Sequence, residues 1–271
     1  MKGTRPIIHP TAVVDPSVEL GEGVEIGPYA VIGPNTVIGD GTVVGPHAVI
    51  YGDVTLGREN RLAAHVVIGG RPQDLAYRGE RTRVVVGDRN LFSEFTSVDR
   101  ATGEGGETRI GNGTYIMSFS KISHNCWIGD GAIIVSGVQL GGWVRVEDHV
   151  YVGGVSGAHQ FVHLGRLAMV AGHTGVRQDV PPYVMVAGFT ARAVGLNQVG
   201  LERHGIPPAD REALRRAFRI FFRSGLSMDA ALEALEEIAQ GSGPVRDFLT
   251  FVRSARERKR GIVRWRSETA P

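Results

Sequence analysis

One aliphatic residue at every sixth position constrains this chain more than any other feature of it. Stepping by six from Ile8, 25 of the 29 positions up to Val176 are Ile, Leu, Val or Phe; the exceptions are Asp74, Glu80, Glu104 and Ala158. A period of six suits neither the 3.6-residue turn of an α-helix nor the alternation of a long strand. It suits a coil in which a short strand turns one large side chain inward and the chain then bends round a corner. Three corners close a triangular turn of about eighteen residues, and stacked turns make a hexapeptide solenoid. Glycine often follows the phased residue, as at Gly21, Gly27, Gly33, Gly39 and Gly45, where a corner demands unusual backbone angles. Two places before the phased residue, Thr36, Thr42, Ala48 and Val54 fill the tighter corner space. The expected fold is all-β, a left-handed parallel β-helix, with a second domain after it.

Composition agrees with many turns around a core of aliphatics: Gly is 38 of 271 residues and aromatics only 7%. The three acidic phased positions mark two excursions, about 70–83 and 101–107. Their lengths keep the six-residue phase, so the chain leaves the coil and rejoins it at an equivalent corner, and such loops on a rigid scaffold are where binding tends to reside. Periodicity ends at Val180-Pro181-Pro182. Beyond Asn197 the pattern turns helical. Pro207 to Asp210 opens a helix with Leu214, Ala217, Phe218, Phe221 and Phe222 on one face, stopped by Gly225. Ser227 caps a second, to Ala239, and Gly243-Pro244 starts a third with Phe248, Leu249, Phe251 and Val252. This gives a β-helix over 1–191 and a helical domain over 192–271 that caps the last coils.

A net charge of +2 gives no argument for nucleic acid. The lone Cys126 excludes an internal disulfide or a cysteine zinc cluster, and it suits the small corner position before Ile128 better than a nucleophile. Met1 to Thr4 lead into no apolar segment, and no run of 18 apolar residues occurs, so a cytoplasmic protein with no stable membrane insertion is expected. Among the nine histidines, His9, His47 and His65 sit in regular repeats as exposed coil residues. His124 lies two positions after the inward Ile122, so it should face outward beside polar neighbours, as a general base would. His159, in Gly157-Ala158-His159-Gln160-Phe161, is similarly flanked.

The segments between and after the repeats carry a resemblance. Pro72-Gln73-Asp74-Leu75, Val86-Gly87-Asp88-Arg89-Asn90, His159-Gln160-Phe161 and Gln178-Asp179-Val180-Pro181-Pro182-Tyr183 look like landmarks of the acyl-[acyl-carrier-protein]–UDP-N-acetylglucosamine O-acyltransferases, which perform the first step of lipid A synthesis. The resemblance runs over nearly the whole chain, including Asn197, Gly200-Leu201 and Arg203. It implies a homotrimer with three active sites between neighbouring subunits, acyl carrier protein as acyl donor, UDP-N-acetylglucosamine as acceptor, and no metal or cofactor. The family's catalytic base falls on His124 and its backbone oxyanion donor on Gly142. Gln73, Asp74, Lys121, His159, Gln160, Asn197 and Arg203 fall on positions that hold the nucleotide sugar. Met169 and Gly172 fall where the pocket measures the acyl chain.

Five positions depart from that family's pattern. Lys121 and Asn125 replace a His and an Asp flanking the base, Ala76 replaces a Lys, and Asp99 and Trp143 each replace a His. Asn125 can orient an imidazole but cannot stabilise an imidazolium as a carboxylate would. Lys121 would lower the pKa of a nearby His or bind phosphate. The departures leave three other readings open: a related acyltransferase with another nucleotide sugar or a 3-amino acceptor, a pseudoenzyme, and a zinc enzyme like the β-helical carbonic anhydrases using His124, His149 and His159. Finally, seven basic residues between Arg253 and Arg266 (Arg253, Arg256, Arg258, Lys259, Arg260, Arg264, Arg266) face one acid, Glu257. They form either a solvated helix end or a landing surface for an acidic carrier protein.

Overall fold

The structure, a computed structural model, describes residues 5–265; the outermost residues of both expected domains, and Arg266 of the basic run, lie outside that range. Very short strands stack into three sheets of 11, 9 and 8 strands, here called A, B and C, parallel throughout except for the last strand of A. Sheet A begins at Ile7–Ile8, sheet B at Val13–Val14 and sheet C at Glu19–Leu20. In a regular coil each strand pairs with the one eighteen residues further on: Glu25 with Val43, Val31 with Val49, Val37 with Thr55. Each strand turns one residue out and one in, so Ile26, Ile32 and Ile38 fill the three inner faces of one coil, and Val44 and Ile50 are buried directly above Ile26 and Ile32. A fully buried aliphatic side chain contributes roughly 1.5–3 kcal/mol, and the ladder repeats that contribution in every coil. The result is a left-handed parallel β-helix.

The three edges of the prism are built differently. At the C–A edge, carboxylates and an amide of one coil cap backbone N–H groups of the coil before it: Glu22 N donates to Asp40, Arg58 N to Asp88, Asp88 N to Asn112, Asn112 N to Asp130 and Asp130 N to Asp148, all at 2.8–2.9 Å. Just inside that edge the buried Asn60, Asn90 and Thr114 bond one another, with Asn90 Oδ1 accepting from Thr114 N at 2.8 Å. At the A–B edge, the rings of Tyr29, His47, His65, Phe95 and Phe119 stack in one exposed column at 4.9–5.1 Å spacing. The B–C edge carries both excursions. Leu56 pairs with Val86 and Val86 with Ile110, separations of thirty and twenty-four residues, so the excursions add whole multiples of six and the phase survives.

The excursions brace each other. Arg100 donates to the carbonyls of Gly69 (3.0 Å) and Gly52 (2.9 Å), Gly103 N donates to Glu80 (2.9 Å), and Gly105 N donates to the Arg81 carbonyl (3.0 Å). After the last coil an antiparallel hairpin, Val184–Ala187 and Arg192–Leu196, extends sheet A. Its second strand carries the sheet five residues into the expected helical domain. Four helices follow: α1 (Gln198–Arg203), α2 (Pro208–Arg223), α3 (Met228–Gln240) and α4 (Gly243–Ser254). Ser227 caps α3 by accepting from Ala230 N. Phe218, Phe222 and Phe248 pack α2 against α4. The chain then returns to the solenoid through bridges Asp179–Ile262 and Ala193–Trp265. One end of the ladder is thereby closed by helices, as a solenoid terminus requires, while Ile7 and Ile8 remain exposed at the other.

Candidate active site

Eighteen-residue arithmetic places His124, Gly142 and Gln160 in one column on the B–C edge, rising by about 4.8 Å per coil, directly beside the two excursions. His124 was expected to face outward, but it is only 8% exposed, because those excursions fold over it. Asn125 ties the second excursion to His124. Its Oδ1 accepts from Thr102 N (2.9 Å) and its Nδ2 donates to the Thr102 carbonyl (3.0 Å). That pair of bonds fixes which end of the amide is oxygen, and the oxygen lies 2.9 Å from His124 Nδ1. Nδ1 therefore carries the proton and Nε2 presents a lone pair. Asn125 itself takes the left-handed conformation (φ 58°), which asparagine tolerates better than most residues.

Facing Nε2 is the Asp74 carboxylate, with Oδ2 at 3.9 Å. The backbone N–H of Ala76 donates to the other oxygen at 2.9 Å and holds this carboxyl below the usual carboxylate range. Above His124 lies Gly142. A Cβ there would overlap the imidazole at Cε1 and Nε2, so only glycine lets the ring lie against the backbone. Among the described residues nothing accepts the Gly142 N–H, in contrast to the carboxylate-capped amides of the C–A edge. The arrangement offers a proton acceptor and, within one coil of it, an unsatisfied N–H donor.

Aromatic rings continue the edge upward. Trp143 meets His124 edge-on (6.4 Å between centroids) and stacks on Phe161 (6.1 Å), over which Lys259 sits at 4.5 Å. Both rings stand on left-handed backbone, φ 63° and 67°, strained for such bulky residues. They line a groove of about 410 Å³ together with Arg258 and Lys259. Cys126 is buried as a corner filler, and burial pushes its thiol up to about 12, which removes it as a nucleophile.

The other expected site residues do not converge in one chain. Gln73, Asp74, His159 and Gln160 share the B–C edge with His124. Met169 lies on sheet A and Gly172 on the A–B edge. Asn197 caps α1 and donates to the Leu167 carbonyl (2.8 Å) on the C–A edge. Exposed Arg203 ends the same helix, which is held down by the ring of His204 against His149 at 4.5 Å. Burial and the neighbouring His204 lower the pKa of His149. His149 thus stands on the C–A edge, away from His124 and His159, and no group of three potential metal ligands forms among the described residues.

The Lys121 ammonium is bonded to Asp99. The sequence flagged both residues separately; their opposite signs on adjacent coils were the signal that they pair. The basic run is likewise largely engaged: Arg253 pairs with Glu236, Arg256 with Asp229 and Arg258 with Asp179. Arg260 donates to the Gln160 carbonyl at 2.7 Å, so this segment walls the upper part of the site edge.

Comparison with known proteins follows the same geography. Residues 179–263 match the family model described as Udp N-acetylglucosamine O-acyltransferase, domain 2. Residues 35–70 and 107–142 match the bacterial transferase hexapeptide (six repeats). An acyl-[acyl-carrier-protein]–UDP-N-acetylglucosamine O-acyltransferase of Anaeromyxobacter sp. (strain K) is 48% identical, over 95% of this chain and 99% of its own. The UDP-N-acetylglucosamine acyltransferase of Francisella novicida superposes with a TM-score of 0.92 at 34% identity, covering 95% of this chain and 94% of its own. The O-acyltransferase of Moraxella catarrhalis RH4 gives 0.89 at 36%, covering 95% and 99%.

Proposed function

Because this chain belongs to the acyl-[acyl-carrier-protein]–UDP-N-acetylglucosamine O-acyltransferase family, we propose that it transfers a 3-hydroxyacyl chain from acyl carrier protein to the 3-hydroxyl of UDP-N-acetylglucosamine, the first step of lipid A synthesis. The observation that carries the chemistry is the proton fixed on His124 Nδ1 by Asn125, which leaves Nε2 basic opposite Asp74. The sugar hydroxyl donates its hydrogen to Nε2, beside the Asp74 carboxylate. Nε2 takes its proton as the oxygen attacks the thioester carbonyl. The C–O bond forms, and the Gly142 N–H donates to the developing oxyanion. Collapse breaks the C–S bond, and the imidazolium returns its proton to the departing thiolate.

Gln73, His159 and Gln160 hold the nucleotide sugar on the same edge, while Asn197 and Arg203 reach it from the C–A edge of another copy. Arg203 suits a diphosphate, its guanidinium being permanently charged and forked. Met169 and Gly172 line the path of the acyl chain. Three edges, each bearing part of one site, fit a homotrimer in which every site lies between neighbours. A cytoplasmic location belongs to the same reading. Among the described residues no helix is long and apolar enough to cross a membrane.

The test is direct: incubate the protein with 3-hydroxyacyl carrier proteins of several chain lengths and UDP-N-acetylglucosamine, and weigh the nucleotide sugar by mass spectrometry. A product heavier by one acyl group, with release of carrier-protein thiol, is expected. Absence of that product for every chain length would overturn the proposal.

A further inference from the structure

Next to the base lies a buried ion pair that this mechanism leaves unused. Asp99 ends the strand Ser97–Asp99 of sheet B, opposite Gly70 at the root of the first excursion, and Lys121 follows one coil on. The Lys121 ammonium donates to Asp99 Oδ1. Asp99 is only 3% exposed, yet its Oδ2 has no partner among the described residues. Burial pushes the carboxyl up from its ordinary range, while Lys121 and the nearby Gln73 amide pull it back. An ionised carboxylate offers about four acceptor positions, and a bare oxygen in a dry place is costly. Well-packed apolar residues commonly replace buried ion pairs without loss of stability. A half-satisfied carboxylate beside Gln73 and His124 is therefore explained by a donor that arrives with the substrate.

We infer that Asp99 is a specificity-determining residue: its Oδ2 accepts a hydrogen bond from a donor on the acceptor's pyranose ring, adjacent to the reacting hydroxyl, while Lys121 holds the carboxylate ionised and oriented. The inference rests on the acceptor being a nucleotide sugar. Two groups flank the reacting position, the 2-acetamido N–H and the 4-hydroxyl. An analogue that lacks the one facing Asp99 leaves Oδ2 buried and unpaired, the situation in which a polar site rejects a ligand most strongly.

The experiment measures binding of UDP-N-acetylglucosamine by calorimetry, alongside KM and kcat, for wild type, the Asp99→Leu/Lys121→Met double variant, and Asp99→Asn in case the double variant does not fold. A hydrogen bond to a charged acceptor makes the expected rise in Kd and KM roughly tenfold to a hundredfold, with kcat changing less and the denaturation midpoint maintained. UDP-4-deoxy-N-acetylglucosamine and UDP-2-deoxyglucose, which each lack one of the two donors, then identify the partner. Wild type loses affinity for one of them by the same factor, and the variants are indifferent to that loss. Unchanged Kd in the variants would overturn the inference, as would an equal penalty with both analogues, which marks a purely structural pair. Tight binding by a wild type that transfers nothing would instead sink the acyltransferase reading and leave the Asp99 contact standing.

Discussion

Replacing His124 with alanine is expected to lower acyl transfer to UDP-N-acetylglucosamine by at least about a hundredfold, the lower range for removal of a positioned general base. The loss should fall on kcat in single-turnover measurements, because the nucleotide sugar has several other contacts. Folding should survive: the ring lies against the Gly142 backbone and Trp143 at an edge, while the coil itself is held by Ile122 and Cys126 inside. A denaturation midpoint near that of wild type would separate lost chemistry from lost structure. Turnover equal to wild type would remove His124 from the mechanism.

The second large effect is on stability. Asp179 is 0% exposed; one oxygen accepts from His163 N at 2.9 Å, and the other meets Arg258 Nε at 2.7 Å. Replacing Arg258 with methionine fills the space over the Phe251 ring where the guanidinium stacks but strands a carboxylate among buried neighbours. Removal of one partner from such a pair costs about 3–5 kcal/mol, a large share of the roughly 5–15 kcal/mol that holds a typical domain together. Urea denaturation should show it, and Asp179→Asn in the same background should recover part of it. Because Arg258 anchors the segment that brings Lys259 and Arg260 to the site edge, transfer should weaken as well. A variant as stable as wild type would mean that the returning chain is held by its other contacts.

How much of this was legible beforehand differs between scaffold and site. The ladder from Ile8 to Val176 dictated the coil, because only a turn of three equal sides places every sixth residue inside. The eighteen-residue spacing of His124, Gly142 and Gln160 carried their shared edge too, although only the resemblance had singled out Gly142 and Gln160. The burial of His124 was not legible: two positions past an inward residue means outward on a bare coil, and here the excursions cover it. Their fold depends on contacts such as Arg100 to Gly52 and Asn125 to Thr102, which no periodicity announces. The charges of Arg253, Arg256 and Arg258 left a solvated helix end and a landing surface both open; their partners on α3 and the last coil came from tertiary packing. The hairpin Val184–Leu196 lacks a six-residue signature altogether, having left the coil's turn geometry while continuing its sheet.

The central claim is that residues on three different edges form one site between copies of the chain. Mixing two impaired variants tests it. His124→Ala spoils the B–C edge and Arg203→Ala the C–A edge, so each alone should be deficient at limiting UDP-N-acetylglucosamine. After co-refolding equal amounts, random assembly of a cyclic trimer leaves roughly one site in four with both contributing edges intact. Recovery of about a quarter of wild-type turnover is the expected result. Turnover no higher than the average of the two separate variants would contradict a site shared between chains.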